Sequence, residues 1–69
     1  MRELLQRLID QMVDGGITFE EGRREFERRF IERVLADTDG HVSDAATRLG
    51  IHRNTLARKM AELRIKRPR

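Results

Sequence analysis

The chain has 69 residues, 39% of them charged, with 15 Lys and Arg against 12 Asp and Glu and no cysteine. That length supports one domain, and a chain so short buries only about 60% of its unfolded surface, so a lone core is marginal and association with another chain is the cheapest source of further stability. Disulfides and thiolate metal sites are excluded, no apolar run approaches the ~18 residues of a membrane span, and no charged-then-apolar leader is read at the start, which sets a cytoplasmic expectation.

Charge is divided unevenly. Residues 1–47 hold seven Lys and Arg against eleven Asp and Glu, a balance of −4. Residues 48–69 hold eight Lys and Arg against Glu62 alone, a balance of +7. An acidic body with a basic end points to a polyanion partner.

In chain order, residues 2–13 read as an amphipathic helix. Leu4, Leu5, Leu8, Ile9, Met12 and Val13 form its broad apolar stripe, and Gly15-Gly16 stop it. The stripe is wider than one neighbour would cover, so it serves either an ordinary core or a second subunit as well. Thr18-Phe19-Glu20-Glu21 has the form of a capping box, with Ile17 placed to staple towards Gly22. A long helix is then expected from Phe19 to Asp37. Its core face is read as Phe19, Phe26, Phe30, Ile31, Val34 and Leu35, and Glu20–Arg24 and Glu25–Arg29 are spaced as i, i+4 ion pairs. The remaining charges of this helix are expected on a solvated or intersubunit surface. Gly22 costs about 1 kcal/mol in a helix relative to alanine; close helix approach or tolerance near the first turn would each account for it.

Asp37-Thr38-Asp39-Gly40-His41 reads as a turn with Gly40 at positive φ, Ser43 as the N-cap of a third helix, and Val42 as its core anchor. Ala45, Ala46 and Leu49 follow at helical spacing, with alanines where two helices must cross closely. Gly50 ends that helix where a left-handed residue is needed, and Ile51 plugs the turn. His52 or Arg53 opens a fourth helix with Leu56, Met60 and Leu63 as its buried stripe. Arg64-Ile65-Lys66-Arg67-Pro68-Arg69 closes the chain, with Ile65 packing back and residues 66–69 as a basic tail. No segment alternates as a strand would. The expected fold is all-α: four helices, an N-terminal pair followed by a helix-turn-helix.

Gly-Ile-His-Arg-Asn-Thr-Leu followed by Arg-Lys-Met, preceded by Asp-Gly-His-Val-Ser-Asp-Ala-Ala, closely resembles the Fis-type DNA-binding domain, in the version that closes NtrC-type bacterial enhancer-binding regulators. The similarity covers roughly Phe26 to Ile65. It implies a single Fis-like domain, with residues 1–38 for dimerisation and 41–65 as the helix-turn-helix. The function it implies is that of a transcriptional regulator or nucleoid-type protein, with double-stranded DNA, a second copy of the chain and the transcription machinery as partners. Leu4, Leu5, Leu8, Ile9, Met12, Phe26, Phe30 and Val34 would form the dimer core, and paired recognition helices spaced more closely than successive major grooves would bend the DNA or narrow its minor groove.

A helix entering the major groove offers its N-terminal turn to bases and its flanks to phosphates. Arg53 is the first candidate, since a guanidinium pairs bidentately with guanine O6 and N7. Asn54 and Thr55 lie beside it, although Thr55 would serve equally as a local cap. His52 matches a family contact position or serves as N-cap. Arg58 and Lys59 suit phosphate or a base edge, and Ser43 and Thr47 suit phosphates at the third helix. Ala57 departs from the family pattern, where arginine is frequent, and leaves only thymine-methyl contact at that point.

Other classes fit less well. An enzyme would need a nucleophile with a base, or a metal cluster. Ser43 is the only serine, His41 and His52 lack a third ligand, and Glu20-Glu21 is explained by capping. No catalytic residue, metal or cofactor is expected. RNA binding lacks a stacking platform without Tyr, Trp or a sheet. A degenerate helix-turn-helix acting as a protein-interaction module remains the alternative, but such a module would be expected to lose the set Arg53, Arg58 and Lys59.

Overall fold

A computed structural model describes residues 1–66. Four helices follow one another: α1 (Arg2–Asp14), α2 (Phe19–Asp37), α3 (Val42–Leu49) and α4 (Arg53–Leu63). No strand occurs among the described residues. The basic tail expected over 66–69 lies outside them from Arg67 onward.

Local chemistry sets each boundary. Gly15 closes α1, Gly16 at φ +80° turns the chain, and Ile17 N–H returns to Met12 O at 2.9 Å. Thr18 then caps α2: its hydroxyl accepts from Glu21 N–H at 3.1 Å, while Glu21 Oε1 accepts from Thr18 N–H at 2.9 Å. That reciprocal pair is the expected capping box. Gly22 allows close approach, because a Cβ there would stand 2.9 Å from the methyl of Met12. The contact is with the end of the Met12 side chain, which lies over this glycine.

The start of α3 differs from expectation. His41, not Ser43, is the N-cap, with extended backbone and no side-chain cap bond. The turn ends earlier than residue-type preference suggests because Asp39 (φ 55°) and Gly40 (φ 78°) both take left-handed conformations, which brings the chain into helix by Val42.

Two similar closures bracket the last helix. After α3, Gly50 at φ 74° lets its own N–H bond Thr47 O at 3.2 Å and Ile51 N–H bond Ala46 O at 3.1 Å. After α4, Arg64 at φ 57° lets its N–H bond Ala61 O at 3.2 Å and Ile65 N–H bond Met60 O at 2.8 Å. Both are Schellman closures, in which the residue after the left-handed one folds its apolar side chain back. Ile65 is buried and Ile51 packs on the core. Only glycine takes the left-handed geometry without a Cβ clash. Gly50→Ala should therefore destabilise by about 1 kcal/mol, although open space surrounds its Cβ direction. Arg64→Gly should stabilise by a similar amount, read as opposite shifts in urea midpoint.

The core belongs to the last three helices. Ile31, Val34 and Leu35 of α2 meet Ala45 and Ala46 of α3, Leu56, Met60 and Leu63 of α4, and Ile65. Val42, Leu49 and Ile51 pack around it. The two alanines let α3 sit close to its neighbours, while Leu35, Leu56 and Leu63 are the largest fully buried side chains.

The expected core face of α2 is only half right. Phe19, Phe26 and Phe30 are 89%, 59% and 51% exposed. They lie on a different face of α2 from Arg24, Glu27 and Arg28, which reach α4, and α1 buries no residue against them. With Leu5, Leu8, Ile9, Met12, Val13 and Ile17 they line an open apolar groove of about 700 Å³. Val34, expected in the same apolar set between subunits, is instead buried in the core of the helix-turn-helix. Leu4 is exposed and lies off the groove.

Candidate nucleic-acid interface

Helix α4 presents three faces with different work. Leu56, Met60 and Leu63 point into the core. Lys59 and Glu62 turn towards α2, where Lys59 Nζ donates to Glu27 Oε1 at 3.0 Å and Glu62 Oε1 accepts from Arg23 Nη2 at 3.2 Å. Arg53, Asn54, Ala57 and Arg58 are left exposed. Among the described residues, Arg53 and Arg58 have no ion pair or side-chain hydrogen bond. The outward face of the helix is cationic, with no compensating carboxylate on Arg53 or Arg58 among the described residues.

His52 caps this helix by accepting Asn54 N–H on Nδ1 at 2.9 Å. An accepting Nδ1 carries no proton, so in the neutral ring the hydrogen sits on Nε2. The capping role and a contact role are then compatible, since Nε2–H remains a donor at the start of the exposed face. Thr55 is half-buried and bonds no described residue as a cap.

Ser43 and Thr47 are exposed one turn apart on α3, where the Thr47 hydroxyl donates to Ser43 O at 3.1 Å. That proton is occupied. Since no side chain caps α3, its first N–H groups and the Ser43 hydroxyl form the accessible donor set there. Arg48 lies within 3.8 Å of Asp37. The structure thus gathers His52, Arg53, Asn54 and Arg58 on one exposed edge, with Ser43 and Thr47 on the helix before it, and sets Lys59 apart on the α2 side.

The charges of α2 have a use that helical spacing does not reveal. Arg23, Arg24 and Arg28 face α4 rather than only solvent. Arg28 Nη2 donates to Leu63 O at 2.6 Å, Arg24 Nη2 to Glu62 O at 3.5 Å, and Arg23 bonds Glu20, Glu27 and Glu62 together. Glu20 pairs with Arg23, three residues on, instead of the expected Arg24, because Arg24 reaches Glu62. Glu25–Arg29 forms as spaced. Donation from Lys59, and then from Arg23, holds the Glu27 carboxyl below its ordinary range. The Thr18 backbone and hydroxyl do the same for Glu21, and Arg23 for Glu20. Bonds to Glu20, Glu27 and Glu62 in turn raise the Arg23 guanidinium.

Residues 22–63 match the pattern of the family described as bacterial regulatory proteins, Fis family. The chain belongs to that family. The match begins in the first turn of α2 and ends at the last residue of α4, so it spans the core helices and the seam between α2 and α4. DNA-binding transcriptional regulator NtrC of Proteus hauseri is 54% identical over 41 residues, covering 59% of this chain and 9% of that protein. The matched segment is thus a small part of a much longer relative. No solved structure gives a significant match. No helix of the described residues is long and apolar enough to cross a membrane, and no group of three or more His, Asp or Glu among them is arranged to hold a metal ion.

Proposed function

We propose that this Fis-family chain acts as the DNA-binding domain of a bacterial transcriptional regulator, a homodimer that lays α4 in the major groove of duplex DNA. In this reading residues 1–38 associate, residues 41–65 bind, and the DNA bends between the two half-sites, within the nucleoid. The uncompensated edge of α4 carries the reading. Arg53 and Arg58 have no ion-pair partner among the described residues, on a helix whose orientation is fixed by two Schellman closures and an apolar core. A protein-interaction module would have no need of two exposed arginines on this helix that pair with no described residue.

Within the site, Arg53 at the first turn of α4 reads a base edge, with Asn54 and Thr55 adjoining it. Arg58 answers a phosphate one turn on. His52 Nε2–H, Ser43, Thr47 and the uncapped N-terminus of α3 supply further phosphate donors. Ala57 leaves a small apolar surface suited to a thymine methyl.

The two arginines should separate in binding measurements on a duplex selected from a random pool. Arg53→Ala should cost about 1–3 kcal/mol on that duplex and relax the base preference at one position of each half-site. Arg58→Ala should weaken all duplexes alike and make the salt dependence shallower by about 0.9 for each phosphate that is no longer engaged. Equal losses on selected and random duplexes for Arg53→Ala would remove it from base reading.

A further inference from the structure

Counting charge along α4 assigns Lys59 to the polyanion, beside Arg58. The structure gives it another partner. Lys59 Nζ bonds Glu27 Oε1 across 32 residues of sequence, and Glu27 Oε2 accepts from Arg23 Nη1 at 3.0 Å. The Glu27 and Lys59 side chains are 20% and 31% exposed, so solvent and salt screen this pair less than an open surface pair.

The charges around it make the lysine hard to spare. Glu20, Glu27 and Glu62 converge on Arg23 alone from the α2 side, with Arg24 only within 4.0 Å of Glu62. Arg28 is committed to Leu63 O and to Glu32. Three carboxylates therefore share Arg23, Arg24 and Lys59. Taking Lys59 to a phosphate would leave the seam between α2 and α4 with unbalanced negative charge.

We propose that Glu27 is a positioning residue that reserves Lys59 for the seam between α2 and α4 and withholds it from the DNA backbone, so that α4 meets phosphate through its free arginines. The proposal rests on the DNA-binding reading above. Glu27 thereby sets the number of phosphate contacts, and hence how steeply affinity falls with salt, without itself touching DNA.

The test is a salt series on one duplex with four proteins: wild type, Lys59→Ala, Glu27→Ala and the double variant. Each lysine released onto a phosphate should steepen the slope of log K against log salt by about 0.9. Lys59→Ala should leave the wild-type slope unchanged, Glu27→Ala should steepen it, and the double variant should return it to the wild-type value. A general field effect of removing a carboxylate would persist without Lys59, so steepening in the double variant overturns the proposal. A shallower slope for Lys59→Ala, or no change for Glu27→Ala, overturns it equally. Absence of salt-dependent binding by the wild type removes the DNA-binding reading itself. The Glu27–Lys59 pair has a readout that needs no DNA: by NMR the Glu27 carboxyl should titrate below the ordinary range and move up in Lys59→Ala. An ordinary Glu27 titration in the wild type also overturns the proposal.

Discussion

Sedimentation should return a dimer for the wild type, as proposed, and a folded monomer for the Phe26→Asp variant at the same concentration. Phe26 is 59% exposed, its ring lies 5.4 Å from that of Phe30, and neither belongs to the buried core. The substitution should therefore leave the helical signal in place. Burying a phenylalanine is worth about 1.5–3 kcal/mol, and in a two-fold dimer each interface residue counts twice. Introducing an aspartate adds the cost of desolvating an unpaired charge. The expected loss is on the order of 4–6 kcal/mol, roughly a thousandfold or more in the dimer dissociation constant. If the proposed dimer stabilises the fold by mass action, the concentration dependence of melting should vanish as well. An intact Phe26→Asp dimer would mean that the groove beside α1 is not what joins the subunits.

Leu56→Ala should be the most damaging core substitution at the recognition helix. Leu56 is fully buried between α2, α3 and α4. Leu-to-Ala truncation in such a site costs about 2–5 kcal/mol, while a domain of this size holds only about 3–10 kcal/mol in all. The variant should melt far below the wild type and lose DNA affinity because α4 is no longer held, although no DNA-facing atom has changed. Leu4→Ala is the contrast. Leu4 is 71% exposed and off the groove, and its truncation should stay within about 0.5 kcal/mol. The two leucines differ only in where the fold puts them.

Much of this architecture is written in single residues. Thr18 with Glu21, Gly50 with Ile51, and the spacing of Leu56, Met60 and Leu63 each specify a local geometry that the structure adopts. Local rules served less well where partners lie far apart in sequence. Helical periodicity marks Phe26 and Phe30 as apolar-facing, but it does not distinguish a chain's own core from an exposed apolar groove. The same limit hid Val34, whose spacing from Phe30 suggests one face although it falls where α3 and α4 begin to cover α2. Ser43 has the better capping side chain, yet the left-handed pair Asp39 and Gly40 starts the helix at Val42.

Within the candidate site, Arg53, Asn54 and Arg58 were legible because the buried stripe of α4 fixes the opposite face. Lys59 was not. Its orientation depends on Glu27, and only the crossing of α2 over α4 brings the two together. Arg64 was missed for a different reason: a left-handed arginine has no signature, although the following Ile65 supplies the apolar contact that such a closure needs.

DNA binding by this chain stands or falls on the free edge of α4 engaging the phosphates and bases of a duplex. The decisive experiment is fluorescence anisotropy of a labelled random-sequence duplex, titrated with the wild-type chain across a salt series. Binding should appear at low salt, and its log K should fall linearly with log salt, with a slope set by the number of phosphates engaged. Absence of binding at low salt by a folded dimer would contradict this and leave a helix-turn-helix whose partner is another protein.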